Sequence, residues 1–333
     1  MTPQVSIIVP NYNHAKYLSA RMECIMSQTF QDFEVIILDD CSTDDSWTVI
    51  ESYRNWEKVS NIIYNAANSG SPFVQWNKGI NLASGSFIWI AEPDDCCKSN
   101  FLEETVSKMK DFPTVGLVYT QSLEKDYGSG TESLVFQDSP GYTQSFQNSY
   151  FDNGRREMRE KFILEQSIPY ASGVLFRKSV IDWIGGADKS MLLCGDWFLW
   201  LKILFVSDVY FIAEPLNVYR LTNISVRSRF SGIQTFHERM RIIYWMHFRG
   251  VKRMGIKELI LLENLFNSFM LKKLDKPVKL ILSDPVMNNK LIKIIVAFSI
   301  SIFDRIRGHI SRLGHRIATT RQRLAARHGM ATQ

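Results

Sequence analysis

Five short apolar runs, at residues 5–9, 35–38, 61–64, 87–91 and 115–119, punctuate the first 120 residues of this 333-residue chain. Between the first two, Leu18, Met22, Ile25 and Met26 recur at helical spacing behind Asn13, a capping residue type, and residues 74–83 read as another helix. Apolar runs alternating with amphipathic segments are the pattern of βα units in a mostly parallel sheet, an α/β fold. An open sheet of this kind holds its ligand at the carboxyl ends of its strands, so the polar residues directly after each run are the first candidates for chemistry.

The composition, 45% hydrophobic and 22% charged, supplies a sizeable core and excludes disorder, collagen and a small disulfide scaffold. Five cysteines, an odd number, and an opening MTPQVSIIVPNYN without the basic and apolar regions of a signal peptide point to a reducing cytoplasm. The longest apolar stretch near the end, 294–303, includes two serines and falls far short of the ~20 residues that span a bilayer, so no transmembrane helix is expected. Residues 301–333 hold seven arginines and one aspartate, a surplus of +6 against +5 for the whole chain, so the first 300 residues sum to −1. The basicity belongs to the tail.

From 121 to 153 the chain is rich in Gly, Ser, Gln and Tyr with weak periodicity, which predicts a long loop or a hairpin excursion. Structure returns with a helix over 155–166, a strand over 173–176, a helix over 196–206 and a strand over 209–213, and beyond about residue 230 the pattern is wholly helical. No internal repeat is present.

Four clusters carry candidate chemistry. Pro10-Asn11-Tyr12-Asn13 follows the first run and Asp39-Asp40-Cys41-Ser42-Thr43 the second; the latter also suits a helix cap, as do Asp44 and Asp45 ahead of Trp47 and Ile50. Glu92-Pro93-Asp94-Asp95 follows the fourth run. Three carboxylates in four residues repel one another unless a cation sits among them, and oxygen-only ligands select Mg2+ or Mn2+ over zinc. Asp196, in Cys194-Gly195-Asp196-Trp197, opens a very apolar helix, where capping is the simpler role. The histidines have no metal spacing, and the adjacent Cys96-Cys97 pair reads as buried or surface filler. Neither a Walker A loop nor a Gly-x-Gly-x-x-Gly turn follows a strand, which argues against an NTPase and a dinucleotide-dependent dehydrogenase.

Taken in order, VSIIVPNYN, the Asp39-Asp40 cluster, Asn68-Ser-Gly70, Asn77-Lys78-Gly79, Ala83-Ser-Gly85, Glu92-Pro-Asp94-Asp95 and CGDWFLWLKI resemble the family 2 glycosyltransferases of GT-A fold over about residues 4–225. The resemblance implies a Rossmann-like, mostly parallel central sheet flanked by helices. Residues 1–120 would form its nucleotide-sugar-binding half, 121–230 its acceptor-binding half, and 231–333 a C-terminal helical extension. It places Pro10, Tyr12, Asn13, Asp39, Asn68, Asn77 and Lys78 in the nucleotide-sugar pocket and gives Asp40 the N3 proton of a pyrimidine base. Uracil and thymine carry that proton and cytosine does not, which favours UDP or dTDP donors over CDP; some relatives use GDP sugars.

Asp94 and Asp95 match the family's Mn2+ or Mg2+ motif, with Asp95 the direct ligand and Asp94 shared with the ribose. Asp196 matches the base that deprotonates the acceptor hydroxyl in an inverting displacement. Gly173, Gly186, Trp197 and Arg220 fall in the acceptor or phosphate region. Two departures stand out: Gly195 where Glu often precedes the base, and Arg220-Leu221-Thr222 where Arg-x-His is often found, which moves that role to Arg220, Asn223 or Ser225. The Gln-x-x-Arg-Trp stretch of processive synthases is absent, so one sugar per encounter is expected.

The tail interleaves Lys290, Lys293, Arg305, Arg307, Arg312, Arg316, Arg321, Arg323 and Arg327 with apolar residues such as Leu291, Ile294, Phe298, Phe303 and Leu313. Such a pattern suits either an anionic membrane surface or packing on the body with a solvated arginine face. Nucleic acid is not expected as a partner, because the body is not basic. The expectation is a metal-dependent hexosyltransferase of polysaccharide, O-antigen or capsule biosynthesis, cytoplasmic and peripheral at the inner membrane face, with a glycan acceptor that a membrane-bound tail would make lipid-linked. The alternatives are a non-catalytic protein of the same fold that binds a sugar nucleotide or a partner, and a nucleotidyltransferase; residues 10–20 lack the Gly-rich phosphate loop the latter needs.

Overall fold

The fold comes from a computed structural model that describes residues 2–135, 146–161, 168–221 and 232–251. All five apolar runs are strands. β1 (Val5–Asn11), β2 (Phe33–Asp39), β3 (Val59–Tyr64) and β4 (Phe87–Ile90) alternate with α1 (Ala15–Met26), α2 (Ser46–Ser52) and α3 (Pro72–Leu82). They pair in parallel in the order β3-β2-β1-β4, with Asn11 opposite Asp39 and Ile8 opposite Ile90, so β1, β2 and β4 finish at one edge. Every residue of β1, β2 and β4 is buried, as parallel strands covered on both faces must be. One core cluster joins Val5, Ile7, Val9, Val35 and Ile37 to Leu18, Met22 and Ile25 of α1.

The chain continues through β5 (Cys96–Cys97), α4 (Phe101–Asp111), β6 (Val115–Lys125), β7 (Glu132–Leu134), β8 (Tyr150–Asp152) and α5 (Gly154–Lys161). After a short 3-10 turn (Ala171–Gly173) come β9 (Val174–Arg177), α6 (Lys178–Ile184), α7 (Gly195–Val206), β10 (Asp208–Arg220) and α8 (Gly232–Phe248). β9 inserts antiparallel between β4 and β6, and β10 runs parallel to β6, so one sheet carries the chain past residue 120 without a break. Residues 1–231 with 242–253 form one compact unit, and residues 232–241 with 254–333 are assigned to a second. Among the described residues no helix is long and apolar enough to cross a membrane. The basic tail and the helical pattern beyond residue 251 lie outside the described residues, as does the end of the 155–166 helix.

Several local expectations are corrected. Asn13 does not cap α1: its backbone is left-handed (φ 59°) and its Oδ1 accepts the Thr43 N–H at 2.7 Å, while the Ala15 N–H goes to Asp44 Oδ2 at 3.0 Å. β6 does not end at Tyr119 but runs to Lys125, because its polar end pairs with both β10 and β7 in the hairpin of the excursion. β10 likewise passes residue 213 to reach Arg220, with irregular register on either side of Pro215. Cys96 is no filler: it forms a disulfide with Cys24, their Cα atoms 6.0 Å apart.

The excursion is tied down by a buried polar knot. The Tyr119 and Tyr150 hydroxyls both donate to Glu157 Oε1 at 2.9 Å, and Lys161 pairs with Oε2 at 3.1 Å. Gly154, at the start of α5, lies against α7, where a Cβ would stand 2.0 Å from the Ser207 carbonyl oxygen and 2.2 Å from that of Leu204. Backbone cannot step aside as a side chain can, so Gly154→Ala is expected to cost about 3 kcal/mol, read as a lower urea midpoint at unchanged slope.

Candidate active site

Three strand ends and their following loops converge on the edge where β1, β2 and β4 finish. After β4 the chain turns through Ala91, Glu92, Pro93, Asp94 and Asp95 into β5, and this acidic turn is held from several sides. The Glu92 N–H donates to Ser172 Oγ at 3.1 Å, and the Trp76 indole donates to Glu92 Oε1 at 3.0 Å. Arg220 donates its backbone N–H to Asp95 Oδ1 at 3.4 Å and its Nε–H to the Asp94 carbonyl at 3.1 Å. The arginine expected near the phosphates therefore ends on the acidic turn, its guanidinium 3.7 Å from the centre of the Tyr127 ring and 5.2 Å from that of Tyr17.

Asp95 is 4% exposed. Burial, and then the neighbouring Asp94, push its carboxyl up to about 7. Burial, followed by the charges of Asp94 and Asp95, takes Glu92 up to about 8. The turn thus gathers more negative charge than its surroundings neutralise, and oxygen is its only donor type. A divalent cation of the Mg2+ or Mn2+ kind fits that donor set. Among the described residues no three His, Cys, Asp or Glu side chains gather at one point.

At the end of β2, Asp39 accepts from Asn11 Nδ2 at 2.7 Å and from Ser42 Oγ at 2.6 Å. Asp40 is 5% exposed and accepts from Asn65 Nδ2 (2.6 Å), Gln75 Nε2 (2.8 Å), and the Ser69 N–H (2.9 Å) and hydroxyl (2.7 Å). Four donors match the roughly four lone-pair sites of a carboxylate, so a base N3–H would compete with the 65–75 segment for Asp40. Asn68 joins that clamp through its Nδ2, which donates to the Asp40 carbonyl at 3.0 Å, and Lys78 reaches it through Asn65 Oδ1 at 2.5 Å. Pro10 is buried at the end of β1, and Tyr12 stands 37% exposed beyond it. Asn13 and Cys41 both have left-handed backbones, φ 59° and 63°, a conformation costly for L residues that clusters at functional loops.

Asp196 lies half-buried in the first turn of α7, where its Oδ1 accepts the Trp197 N–H at 2.7 Å. That turn packs on the same edge: Ser71 Oγ, ahead of α3, donates to the Met191 carbonyl at 3.1 Å, and Trp76 meets Trp200 with ring centres 6.1 Å apart. Gly195 is explained by packing, since a Cβ there would lie 2.4 Å from the Phe73 ring. Asn77 donates to the Ala187 carbonyl and accepts its N–H, both at 2.8 Å, across a left-handed Gly186 (φ 73°). It positions the loop before α7. Trp197 turns inward, 2% exposed, and Gly173 lies against Asn217 beside the acidic turn.

Asn65, Gln75 and Trp76, which sequence reasoning did not single out, hold Asp40 and Glu92, together with Ser69 of the Asn68-Ser-Gly70 motif and Ser172 beside Gly173. Only their places beside recognised motifs hinted at them.

Residues 6–182 match the family model described as Glycosyl transferase family 2. Glycosyltransferase GlyG of Streptococcus pneumoniae is 31% identical over 151 residues, 45% of this chain and 44% of that protein. Poly(ribitol-phosphate) beta-N-acetylglucosaminyltransferase TarS of Staphylococcus aureus is 35% identical over 106 residues, 31% of this chain and 18% of that protein. The matches thus span less than half the length of both relatives. The structure of TarS residues 1–349 in complex with UDP-GlcNAc superposes with a TM-score of 0.62 at 18% identity, over 83% of this chain and 77% of that one. Mannosyltransferase PcManGT from Pyrobaculum calidifontis, in complex with GDP-Man and Mn2+, gives 0.54 at 15% identity, over 96% and 84%. At those identities the likeness is one of fold, the GT-A fold. With the family model covering more than half of its residues and the strand-end motifs in their order, the chain belongs to glycosyl transferase family 2.

Proposed function

We propose that the protein is an inverting, metal-dependent glycosyltransferase that moves a single sugar from a UDP- or dTDP-sugar to a hydroxyl of a glycan acceptor in cell-surface polysaccharide biosynthesis. The observation that carries this reading is the division of carboxylates along one sheet edge. Asp94 and Asp95 sit in a crowded acidic turn, while Asp196 opens a separate helix packed on the same edge. One group of carboxylates suits a cation and a diphosphate; the other is separate and suits proton removal.

In this mechanism Asp39, Asp40 and Tyr12 hold the nucleoside, and Asp94 and Asp95 would hold the Mn2+ or Mg2+ ion. When bound, the ion supplies charge neutralisation for the departing diphosphate. Asp196 accepts the proton of the acceptor hydroxyl as its oxygen attacks the anomeric carbon from the face opposite the diphosphate, which inverts that centre. Arg220, stacked on Tyr127 and anchored to Asp94, adds positive charge beside the phosphates. The cell-surface-polymer setting is supported by TarS, whose name specifies a poly(ribitol-phosphate) acceptor, while the glycan acceptor is what the family resemblance implies. Attachment to the inner membrane face, and with it a lipid-linked acceptor, rests on the tail's composition alone.

The test is a thermal-stability panel of UDP, dTDP, GDP and CDP, each with Mn2+, Mg2+ or EDTA. A ligand at ~100 times its Kd adds about 2.7 kcal/mol, a rise of roughly 5–10 °C for a domain of this size. The expected result is a metal-dependent rise with UDP or dTDP alone. No rise with any nucleotide would leave the non-catalytic alternative in possession.

A further inference from the structure

Three consecutive residues of α3 reach three separate parts of the site. Successive side chains on a helix point about 100° apart, so Gln75, Trp76 and Asn77 fan across more than half of its circumference. Gln75 Nε2 donates to Asp40 Oδ1 at 2.8 Å, and Trp76 Nε1 donates to Glu92 Oε1 at 3.0 Å. Asn77 meets Ala187 with both ends of its amide, Nδ2 on the carbonyl and Oδ1 on the N–H, each at 2.8 Å. The Asp40 clamp, the acidic turn and the loop that leads to Asp196 are thus fastened to one helix.

That loop, residues 185–194, is held along its whole length. Where it begins, Gly185 and Gly186 are both left-handed (φ 81° and 73°), and a Cβ on Gly186 would stand 2.4 Å from Asn77 Oδ1. Glycine is what lets the backbone approach closely enough for Ala187 to meet the amide. Lys202 of α7 donates its Nζ to the Gly186 carbonyl. Midway, the Met191 carbonyl accepts from Ser71 Oγ at 3.1 Å. Where the loop ends, the Phe73 ring, 3% exposed, fills the space that a side chain on Gly195 would need, one residue before Asp196. A ring against a glycine blocks movement in one direction, whereas two directed bonds to one residue fix both its position and its orientation. Such precision matters to a base, because a misplacement of ~1 Å can cost about 10²-fold in rate.

We propose that Asn77 is a positioning residue for Asp196. Its amide locks the start of the 185–194 loop to α3, and with Phe73 behind Gly195 it keeps the Asp196 carboxylate in register with the groups that Gln75 and Trp76 hold on the same helix. The proposal rests on the reading of Asp196 as the base, and it gives Asn77 a different task from the nucleotide contact that the family resemblance implies.

The test compares full-length wild type and N77A, a substitution that removes both bonds and favours the helix. The readouts are hydrogen exchange, UDP affinity by calorimetry in Mn2+, and release of UDP from UDP-GlcNAc with water as the acceptor. In N77A, exchange is expected to rise at least ~10-fold at Ala187 and to stay unchanged at Ser69, whose N–H is held by Asp40. UDP affinity should remain within about twofold while UDP release falls by ~10–100-fold. A loss of affinity that matches the loss of release would return Asn77 to the nucleotide pocket and overturns the proposal. Unchanged exchange at Ala187 overturns it, as does faster exchange with unchanged release. G186A reaches the same joint from the loop side and decides the matter should N77A fail to accumulate folded: the same split between affinity and release is expected, and a parallel loss of both overturns the proposal. If wild type does not release UDP from UDP-GlcNAc, that failure belongs to the choice of donor or to the glycosyltransferase reading, and exchange across residues 187–197 decides whether Asn77 holds the Asp196 turn.

Discussion

Replacing Asp196 by Asn is expected to slow sugar transfer by about 10²–10⁴-fold while leaving donor affinity within about twofold. The substitution is well matched to the site. Asp196 lies half-buried in the first turn of α7, where its Oδ1 accepts the Trp197 N–H, and an Asn carbonyl accepts the same bond. Helix and fold should therefore persist, with a melting point near that of wild type. What is lost is basicity: an amide oxygen does not take a proton from an acceptor hydroxyl at neutral pH. A fall in kcat at constant donor Kd, measured by UDP release with acceptor and by calorimetry with UDP, is the signature of an interaction used only in the transition state. Unchanged turnover would remove Asp196 as the base.

Much of the fold was legible because β1, β2 and β4 are buried on both faces and largely apolar, and a run of that kind has few other places to go. The ends of β6 and β10 were not, because Gln121–Lys125 and Glu214–Arg220 are polar enough to read as loop, yet their backbones complete a ladder with each other. Ladder hydrogen bonds do not depend on side-chain polarity. The cap of α1 went to Asp44 rather than Asn13 because the loop after β2 folds back over the helix start, a contact between residues 29 apart that no local rule contains. The Cys24–Cys96 bond, 72 residues apart, was hidden in the same way.

At the site, the strand-end rule located the acidic groups. It did not find what holds them, since Trp76 and Gln75 are ordinary residues until the fold brings their donors to a carboxylate.

Asp95→Asn is expected to abolish the metal-dependent part of UDP binding, a loss of at least ~10–100-fold by comparison with residues that merely support metal ligands. Asp95 is the more deeply placed of the two aspartates, and its surroundings already penalise its charge through burial and through Asp94. An amide of the same shape removes the charge that a divalent cation needs and also removes the repulsion, so the variant should melt higher than wild type in EDTA. UDP titrated by calorimetry in Mn2+ and in EDTA separates the two effects: in EDTA, D95N and wild type should bind UDP alike, and in Mn2+ only wild type should gain. A metal-dependent gain that survives in D95N would place the cation elsewhere.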